Sequence, residues 1–306
     1  MATQNVAAAR ALDLEPRTLR LPGITWALIG PAVALLLIFY IWPLVQVLLI
    51  SVTEVDDRAA GMALGNYGLL FVDEGVQRML WRTAQICVTT TVLTLIGGYI
   101  IAYAMVHVTG RQRSFLMFAV LLSFWLSVLI RAFAWIVLLN NNGLAYEAIN
   151  LFWQPLRDTG IVQGRLQLAR TEAGVIIGMV HYMLPYAVLP LFANMQGIDQ
   201  RVMMAARGLG ASPFGAFRRV YLPLSAPGLL GATVLVFVFS LGFFITPSLM
   251  GGGKVVMISE YIWFSMEQTL RWGLATMLAT TLLIAVMALI ALMSRFVDMK
   301  QMYGAK

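Results

Sequence analysis

Long apolar stretches separated by short polar segments make up most of this chain. A bilayer core about 30 Å thick is crossed by ~20 mostly apolar helical residues, because backbone groups in lipid must bond within the helix. Six stretches are long enough: 25–50, 83–107, 115–139, 171–194, 224–249 and 273–294. Kinks are expected at the prolines inside them, which are Pro31, Pro43, Pro185, Pro190 and Pro247. The pattern therefore predicts an all-α membrane protein with six transmembrane helices.

These spans divide the chain into a first helix and a larger core. Residues 1–24 form a polar N-terminal tail, and the apolar run after them is too long for the core of a cleavable signal, so it is expected to remain as an anchor. Residues 51–82 form an outer loop, and residues 83–294 form a five-helix core that includes the inner loop 195–223. Residues 295–306 form a C-terminal tail.

Loop charges predict the orientation, because short cytoplasmic loops carry an excess of lysine and arginine. The two tails and the loops 108–114 and 195–223 fall on one side, with twelve basic residues against four acids. The basic residues are Arg10, Arg17, Arg20, Arg111, Arg113, Arg201, Arg207, Arg218, Arg219, Arg295, Lys300 and Lys306, and the acids are Asp13, Glu15, Asp199 and Asp298. That side is predicted to be cytoplasmic, so both termini are expected inside. The net charge of +7 is then an orientation signal, and no nucleic-acid partner is expected.

Composition supports a membrane protein and excludes several kinds of site. Hydrophobic residues make up 60% of the 306 residues and charged residues only 11%, and the mean hydropathy is +0.82. A soluble domain carries about 25% charged residues to keep its surface hydrated. The single cysteine, Cys87, excludes an internal disulfide framework and a multi-cysteine metal site. No metal site is predicted.

The inner loop before the fifth stretch predicts two short helices with a break between them. Asp199 can cap the first helix, and Gly208 and Gly210 are stop signals, with a positive φ expected at one of them. Ser212 followed by Pro213 is an N-cap and first-turn pair that starts a second helix. The loop is therefore expected to form a helix–glycine–helix segment on the cytoplasmic face.

Two roles for this segment remain open from its residues alone. Exposed apolar side chains on a helical segment can dock into a groove on another protein. They can also lie on the inner leaflet of the membrane, with Arg218 and Arg219 at lipid phosphates.

The same loop carries a known motif. It contains the run Ala205-Ala206-Arg207-Gly208-Leu209-Gly210-Ala211-Ser212, followed by Phe217, Val220, Leu222-Pro223-Leu224 and Pro227-Gly228. This pattern closely resembles the EAA loop, which marks the permease subunits of binding-protein-dependent ABC importers with type 1 transmembrane domains. The resemblance implies the type 1 ABC importer permease fold.

In that family, the EAA loop inserts into a cleft on the ATP-binding subunit. The resemblance assigns this contact to Met203, Met204, Ala205, Ala206, Gly208, Leu209, Gly210, Ala211, Ser212 and Phe217. The chain departs from the motif at Met204, where the family has its name-giving glutamate. Docking is therefore expected to depend on apolar contacts from Met203, Met204 and Phe217.

Two further segments extend the resemblance to about two-thirds of the chain. "FWLSVLIRAFAWIVLLNNNGLAYEAIN" in the third span and "MLPYAVLPLFANMQGID" in the fourth resemble the spermidine/putrescine branch of these permeases. The resemblance implies a non-catalytic transport subunit of the bacterial inner membrane, with a polyamine or related cation as cargo. It also implies two ABC ATPase subunits that hold ATP and Mg²⁺, a second permease subunit, and a periplasmic binding protein. Because the span interiors of this chain offer no acid to a cationic cargo, the second permease is expected to be a different chain. No cofactor is expected on this chain itself.

The candidate substrate pathway is less sharply defined. Apart from Glu172 at the outer edge of the fourth span, Arg131 is the only formal charge within the predicted spans. Arg131 either faces a pathway or bundle interior, or extends to the outer headgroups beside the interfacial Trp125 and Trp135. His181 is favoured as a packing residue over a proton relay, and Tyr182 and Tyr186 are aromatic candidates for cation–π contacts.

Two other transport functions remain as alternatives. An ion-coupled secondary transporter would need acids or broken-helix ion sites in the membrane, and the interiors of the spans contain no acid. An importer permease for another solute, such as iron or thiamine, would share the motifs described above.

Overall fold

A computed structural model describes residues 22–160 and 166–294, and the side chains from residue 29 onward. The described residues form helices and turns without a β-strand. The basic residues of the two predicted tails lie outside this part of the chain, and so does Arg165, which lies between the third and fourth predicted spans. The predicted tails and the orientation that they support therefore stay predictions. The chain divides into two compact units, Met1–Leu49 and Ile50–Lys306.

The first unit contains the first predicted span. Helix α1 covers Pro22–Leu36, a π-helical turn covers Leu37–Ile41, and α2 begins at Trp42 and runs to Thr53 in the second unit. Pro43 explains the wide turn, because its ring clashes with the carbonyl four residues earlier and it donates no hydrogen bond. The observed span extends a few residues beyond the predicted 25–50.

The second unit contains the remaining helices. They are α3 (Glu74–His107), α4 (Arg111–Trp125), α5 (Val128–Leu139), α6 (Leu144–Asp158), α7 (Glu172–Gln196), α8 (Gln200–Gly208), α9 (Pro213–Ala216), α10 (Ala226–Leu241), α11 (Ile245–Gly251), α12 (Ile258–Glu267) and α13 (Trp272–Ser294). Short helical turns cover Asp57–Ala59, Gly65–Gly68, Leu69–Val72 and Leu222–Leu224, and a second π-helical turn covers Phe217–Tyr221. Helices α3, α7 and α10 pack together around a core of buried apolar residues.

Four single helices are long and apolar enough to cross a membrane, and the number rises to six when each of two bent pairs counts as one span. The first bent pair is α4 and α5, with an angle of 101° at the break, and the second joins residues 213–224 to α10 at 61°. The predicted third span over 115–139 therefore consists of two helices with a break at residues 126–127. The predicted fifth span 224–249 was wrong in detail, because α10 ends at Leu241 and α11 is a separate helix.

The second span begins nine residues before the predicted residue 83. The Asp73 side chain caps α3 by accepting hydrogen bonds from the amides of Gly75 (2.8 Å) and Val76 (3.1 Å), so the helix extends into the predicted outer loop. Two amphipathic or mixed segments outside the predicted spans are also helical, namely α6 and α12. Both helices are too short and too polar to have been predicted as transmembrane helices.

Asn66 organises the junction between the outer loop and the end of α2. Its side-chain amide donates to the carbonyls of Ser51 (3.1 Å) and Glu54 (2.7 Å), and its Oδ1 accepts from the amide of Asp56 (2.7 Å). The residue is buried. Gly273 of α13 lies so close that a Cβ there would overlap the Glu54 carbonyl oxygen. One buried amide therefore satisfies three backbone groups at this junction.

Charged side chains join the same junction to α13. Arg271 Nε donates to Asp56 Oδ2 (2.6 Å), a second Arg271 nitrogen contacts Asp56 Oδ1, and Arg58 pairs with Asp73 (2.6 Å). Burial alone would raise the pKa of Asp56. Hydrogen bonds from Arg271 and from the Arg58 amide, together with the two guanidinium charges, instead hold that pKa below its ordinary value of 3.8.

This arrangement predicts acid sensitivity of the outer junction. A carboxyl group whose pKa is lower in the folded protein than in the unfolded chain stabilises the fold at pH values above its unfolded-state pKa. This stabilisation is lost as the pH falls through the folded-state pKa of the group. We therefore expect the melting temperature of the detergent-solubilised protein to fall as the pH drops below about 4. Asp56→Asn should melt lower at neutral pH and show a flatter acid profile, and parallel profiles for the two proteins would contradict the assignment.

Candidate functional site

The inner knuckle, residues 199–217, has the predicted helix–glycine–helix geometry. Asp199 Oδ1 accepts from the amide of Arg201 (2.9 Å) at the start of α8. Ser212 Oγ accepts from the amide of Gly215 (3.1 Å) at the start of α9, where Pro213 occupies the first turn. Local capping chemistry therefore sets both helix starts.

Gly210 ends α8 in a Schellman motif. Its φ is +90°, its amide donates to the Arg207 carbonyl (3.0 Å), and the Ala211 amide donates to the Ala206 carbonyl (3.1 Å). Gly208 remains helical, so the positive φ expected at one of the two glycines belongs to Gly210. The motif reverses the chain sharply and places α8 and α9 side by side.

The knuckle presents a different apolar surface from the one that the sequence suggested. Met203 and Phe217 are half-buried and pack against the core, where the Phe217 ring meets Tyr103 edge-on at 5.7 Å. The exposed apolar residues are Met204 (64% exposed), Phe214 (71%) and Leu209 (91%). The predicted apolar contact thus retains Met204, while Leu209 and Phe214 occupy the outward positions expected for Met203 and Phe217.

The remaining candidate residues of the knuckle fall into two groups. Ala205, Gly208, Gly210 and Ser212 are exposed, and Ala206 and Ala211 are half-buried. Behind them lies a cavity of about 280 Å³ lined by α3 residues such as Tyr103 and His107 and by Met203, Met204 and Arg207.

A rigid aromatic contact connects the knuckle to the spans. Phe217 stacks on Tyr221 at 6.0 Å, and Tyr221 meets Tyr103 of α3 edge-on at 5.2 Å. At the 61° bend before α10, the hydroxyl groups of Tyr99 and Ser225 lie 2.9 Å apart and share a hydrogen bond. Ring and hydroxyl contacts therefore join the knuckle and the start of α10 to α3.

Two of the six predicted pathway residues, Tyr182 and Tyr186, meet in an aromatic cluster, which consists of Phe124, Tyr182, Tyr186, Phe239 and Phe243. Tyr182 stacks on Tyr186 at 5.9 Å and lies 4.5 Å from Phe243. The centre of the Tyr186 ring lies 4.9 Å from the ring centres of both Phe124 and Phe239. The sequence reasoning missed the three phenylalanines, although the four-residue spacing of Phe239 and Phe243, like that of Tyr182 and Tyr186, was a usable signal.

Arg131 lies inside the bundle beside this cluster. It is 7% exposed, and its guanidinium carbon lies 4.7 Å from the centre of the Tyr182 ring. Its nitrogens donate to the Leu126 carbonyl (2.8 Å) and to Ser123 Oγ (3.2 Å). Of the two alternatives for Arg131, the geometry favours the bundle interior. The arginine also satisfies a carbonyl left free by the break between α4 and α5.

The other three candidates differ in their environments. Trp135 Nε1 donates to His181 Nδ1 (3.0 Å), so this ring nitrogen is an acceptor and His181 acts as a hydrogen-bonded packing residue. Trp125 is 89% exposed at the end of α4. Within residues 22–160 and 166–294, no group of three or more His, Cys, Asp or Glu side chains could hold a metal ion.

Comparison with known proteins adds sequence and fold relationships. Residues 69–299 match the family described as binding-protein-dependent transport system inner membrane component. The spermidine/putrescine transport system permease protein PotB of Haemophilus influenzae is 32% identical over 257 residues, which cover 82% of this chain and 87% of that protein. PotB of Escherichia coli K12 is 30% identical over 229 residues, which cover 74% and 80%.

A solved structure supports the fold. A chain in the crystal structure of a bacterial alginate ABC transporter, in complex with an alginate pentasaccharide-bound periplasmic protein, superposes with a TM-score of 0.66. The match covers 88% of this chain and 92% of that chain at 16% identity. The helical arrangement is therefore shared despite the low sequence similarity.

Proposed function

Because the chain belongs to the family of binding-protein-dependent transport system inner membrane components, we propose that it imports polyamines with energy from a separate ATPase. The chain is an inner-membrane permease subunit of a binding-protein-dependent ABC importer. Its role is transport rather than catalysis. The inner knuckle is the observation that carries the proposal, because it combines a sharply reversed backbone with outward apolar side chains.

The knuckle is proposed to insert into a cleft on the ATPase subunit. Leu209, Phe214 and Met204 supply an apolar docking surface, and Met204 stands where related loops carry a glutamate. Phe217 and Tyr221 behind that surface contact α3, so a push on the knuckle would rotate α3 and α10 together. This linkage supports alternation between inward-open and outward-open states, driven by closure of the ATPases.

The complete transporter is proposed to contain two ATPase subunits and two permeases. ATP and Mg²⁺ would bind on the ATPases, and this chain would hold no cofactor. The second permease is proposed to be a different chain, since the interiors of the described spans contain no acid to receive a cationic cargo. A periplasmic binding protein would deliver the cargo to the outer loops.

Polyamine cargo is supported by the names of the relatives and by the aromatic cluster. The PotB proteins are named for spermidine and putrescine transport. Aromatic faces attract organic ammonium groups through cation–π interactions, and Tyr186, Phe239 and Phe243 lie close together beside Tyr182. Arg131 already lies against the Tyr182 ring, so the other rings would provide the faces for cargo.

Reconstitution tests the proposal directly. The chain, its ATPase, its second permease and its binding protein would be placed in proteoliposomes, and uptake of radiolabelled spermidine would be measured with and without ATP. We expect uptake that requires ATP and the binding protein. Uptake driven by an ion gradient without ATP, or ATP-driven uptake of a different solute alone, would contradict the proposal.

Restoring the family's acid should be tolerated. Met204 is exposed in the folded subunit and related loops carry a glutamate at this position, so we expect Met204→Glu to retain ATP-driven uptake within about twofold of the unmodified transporter. Met203→Glu is the matched control, because Met203 is half-buried against the core and a charge there should reduce the folded yield. A large loss of uptake in Met204→Glu, with normal folding, would show that the apolar residue is needed for docking.

A further inference from the structure

Glu260 differs from the other outer acids in having a buried oxygen without a partner. Its Oε2 is inaccessible to solvent and accepts no hydrogen bond from any residue that the structure describes. No arginine, lysine or histidine in the described ranges forms an ion pair with it. Two arginines of the same predicted side pair with other acids, since Arg271 pairs with Asp56 and Arg82 pairs with Glu172 at 2.7 Å.

An unpaired buried carboxylate is costly. Glu260 is half-buried with its Oε2 inaccessible, so its charge loses part of its hydration without gaining a counter-ion, and groups left in this state call for a functional explanation. Burial accordingly raises the pKa of Glu260 above its ordinary value, with no opposing contribution from a neighbouring cation. A neutral amide at this position would be less costly to bury than a charged carboxylate, unless a cation binds there during the transport cycle.

The position of Glu260 connects it to the aromatic cluster. Its neighbour Ser259 donates to the Phe243 carbonyl (2.7 Å), and the Trp263 ring lies 5.7 Å from Phe244. Glu260 and Trp263 are three residues apart on α12 and share a helix face. Ser259 and Trp263, which flank Glu260 on α12, therefore contact residues 243–244, and the Phe243 ring lies 4.5 Å from the Tyr182 ring.

We propose that the Glu260 carboxylate binds an ammonium group of the cationic cargo as the cargo enters the aromatic cluster. This inference rests on the proposed polyamine function. The carboxylate supplies the charge that the span interiors lack, and the rings of Phe243 and Tyr186 then receive the same ammonium group by cation–π contact. Arg131, which lies against the Tyr182 ring, would repel a second cation deeper in the pathway. Glu260 would therefore hold the cargo at the outer end of the route.

The test uses the complete transporter with Glu260→Gln, which keeps the shape of the side chain and removes the charge. We expect the KM for spermidine uptake to rise about tenfold, which corresponds to ~1.4 kcal/mol of lost binding. Maximal uptake and basal ATP hydrolysis should stay near their unmodified values. Glu267→Gln is the matched control, because Glu267 lies on the same helix but is exposed, and its KM should not change.

A stability measurement separates cargo binding from a structural role. Removing an unpaired buried charge should leave the melting temperature of the cargo-free protein unchanged or raise it, whereas loss of a structural contact would lower it. An unchanged KM in Glu260→Gln, or a lower melting temperature with a general loss of uptake, would overturn the inference. Failure of the unmodified transporter to import spermidine would instead overturn the proposed function, and the inference with it.

Discussion

Gly210→Val should reduce ATP-driven uptake by about tenfold or more while the spans remain folded. Gly210 has φ +90°, a region that a β-branched residue avoids at a cost of about 1–3 kcal/mol. A valine would relieve that strain by rotating the backbone, which would break the Schellman motif and misdirect Leu209 and Phe214. We expect ATP hydrolysis to persist without uptake, measured side by side in proteoliposomes.

Gly208 provides a control two residues away. It is helical, and a Cβ there would meet no atom within 4 Å. Gly208→Ala should therefore keep uptake and raise helix stability by about 0.5–1 kcal/mol, whereas Gly210→Ala should lose uptake despite adding the same methyl group. Equal uptake in both alanine variants would contradict a conformational role for Gly210.

Asn66→Asp should destabilise the protein by about 3 kcal/mol, because it converts a buried two-bond donor into an acceptor that faces two carbonyl oxygens. The expected fall in melting temperature is about 5–10 °C for a domain of this size. Thermal unfolding of the purified protein in detergent would measure it. The free energy of unfolding should drop at neutral pH, where the new carboxyl group is charged.

Asn142→Asp is the corresponding control for Asn66→Asp. Asn142 is exposed in the turn between α5 and α6, so the same chemical change occurs in water. Its melting temperature should stay within about 1 °C of the unmodified protein. Similar losses in both variants would mean that the buried hydrogen bonds of Asn66 contribute little to stability.

The knuckle was predictable from the sequence because its structure depends on neighbouring residues. Asp199 caps a helix that starts at the next residue, and Ser212 caps one that starts with Pro213. Gly210 indicates a positive φ, because a residue without a side chain adopts this conformation without steric strain. The direction of Met203 and Phe217 was not predictable in the same way, because it depends on packing against Tyr99 and Tyr103 about a hundred residues earlier.

The break between α4 and α5 was not predicted within the third span. Residues 126 and 127 are leucine and serine, and neither is a strong helix breaker in an apolar stretch. The break is supported by Arg131, which binds the free carbonyl of Leu126 and lies on Tyr182 of a different helix. In contrast, α7 continues through Pro185 and Pro190, where kinks were expected.

Glu260 lies between the predicted spans 224–249 and 273–294, and no nearby residue in the sequence indicates its surroundings. The ten-residue α12 is too short and too mixed in character for a span, so the sequence suggested a connector. Its buried oxygen becomes visible only when α12 packs beside residues 243–244. A single acid in a loop gives no local sign of burial.

The two π-helical turns have the same position relative to proline, ending two residues before Pro43 and Pro223. A π-helical turn is equivalent to one residue inserted into an α-helix, and each residue of an α-helix corresponds to about 100° of rotation. The angular phase between the knuckle and α10 therefore depends on a single amino acid within residues 217–221. A one-codon deletion there would turn Leu209 and Phe214 to a different side of the helix axis, although every side chain in the docking surface would still be present.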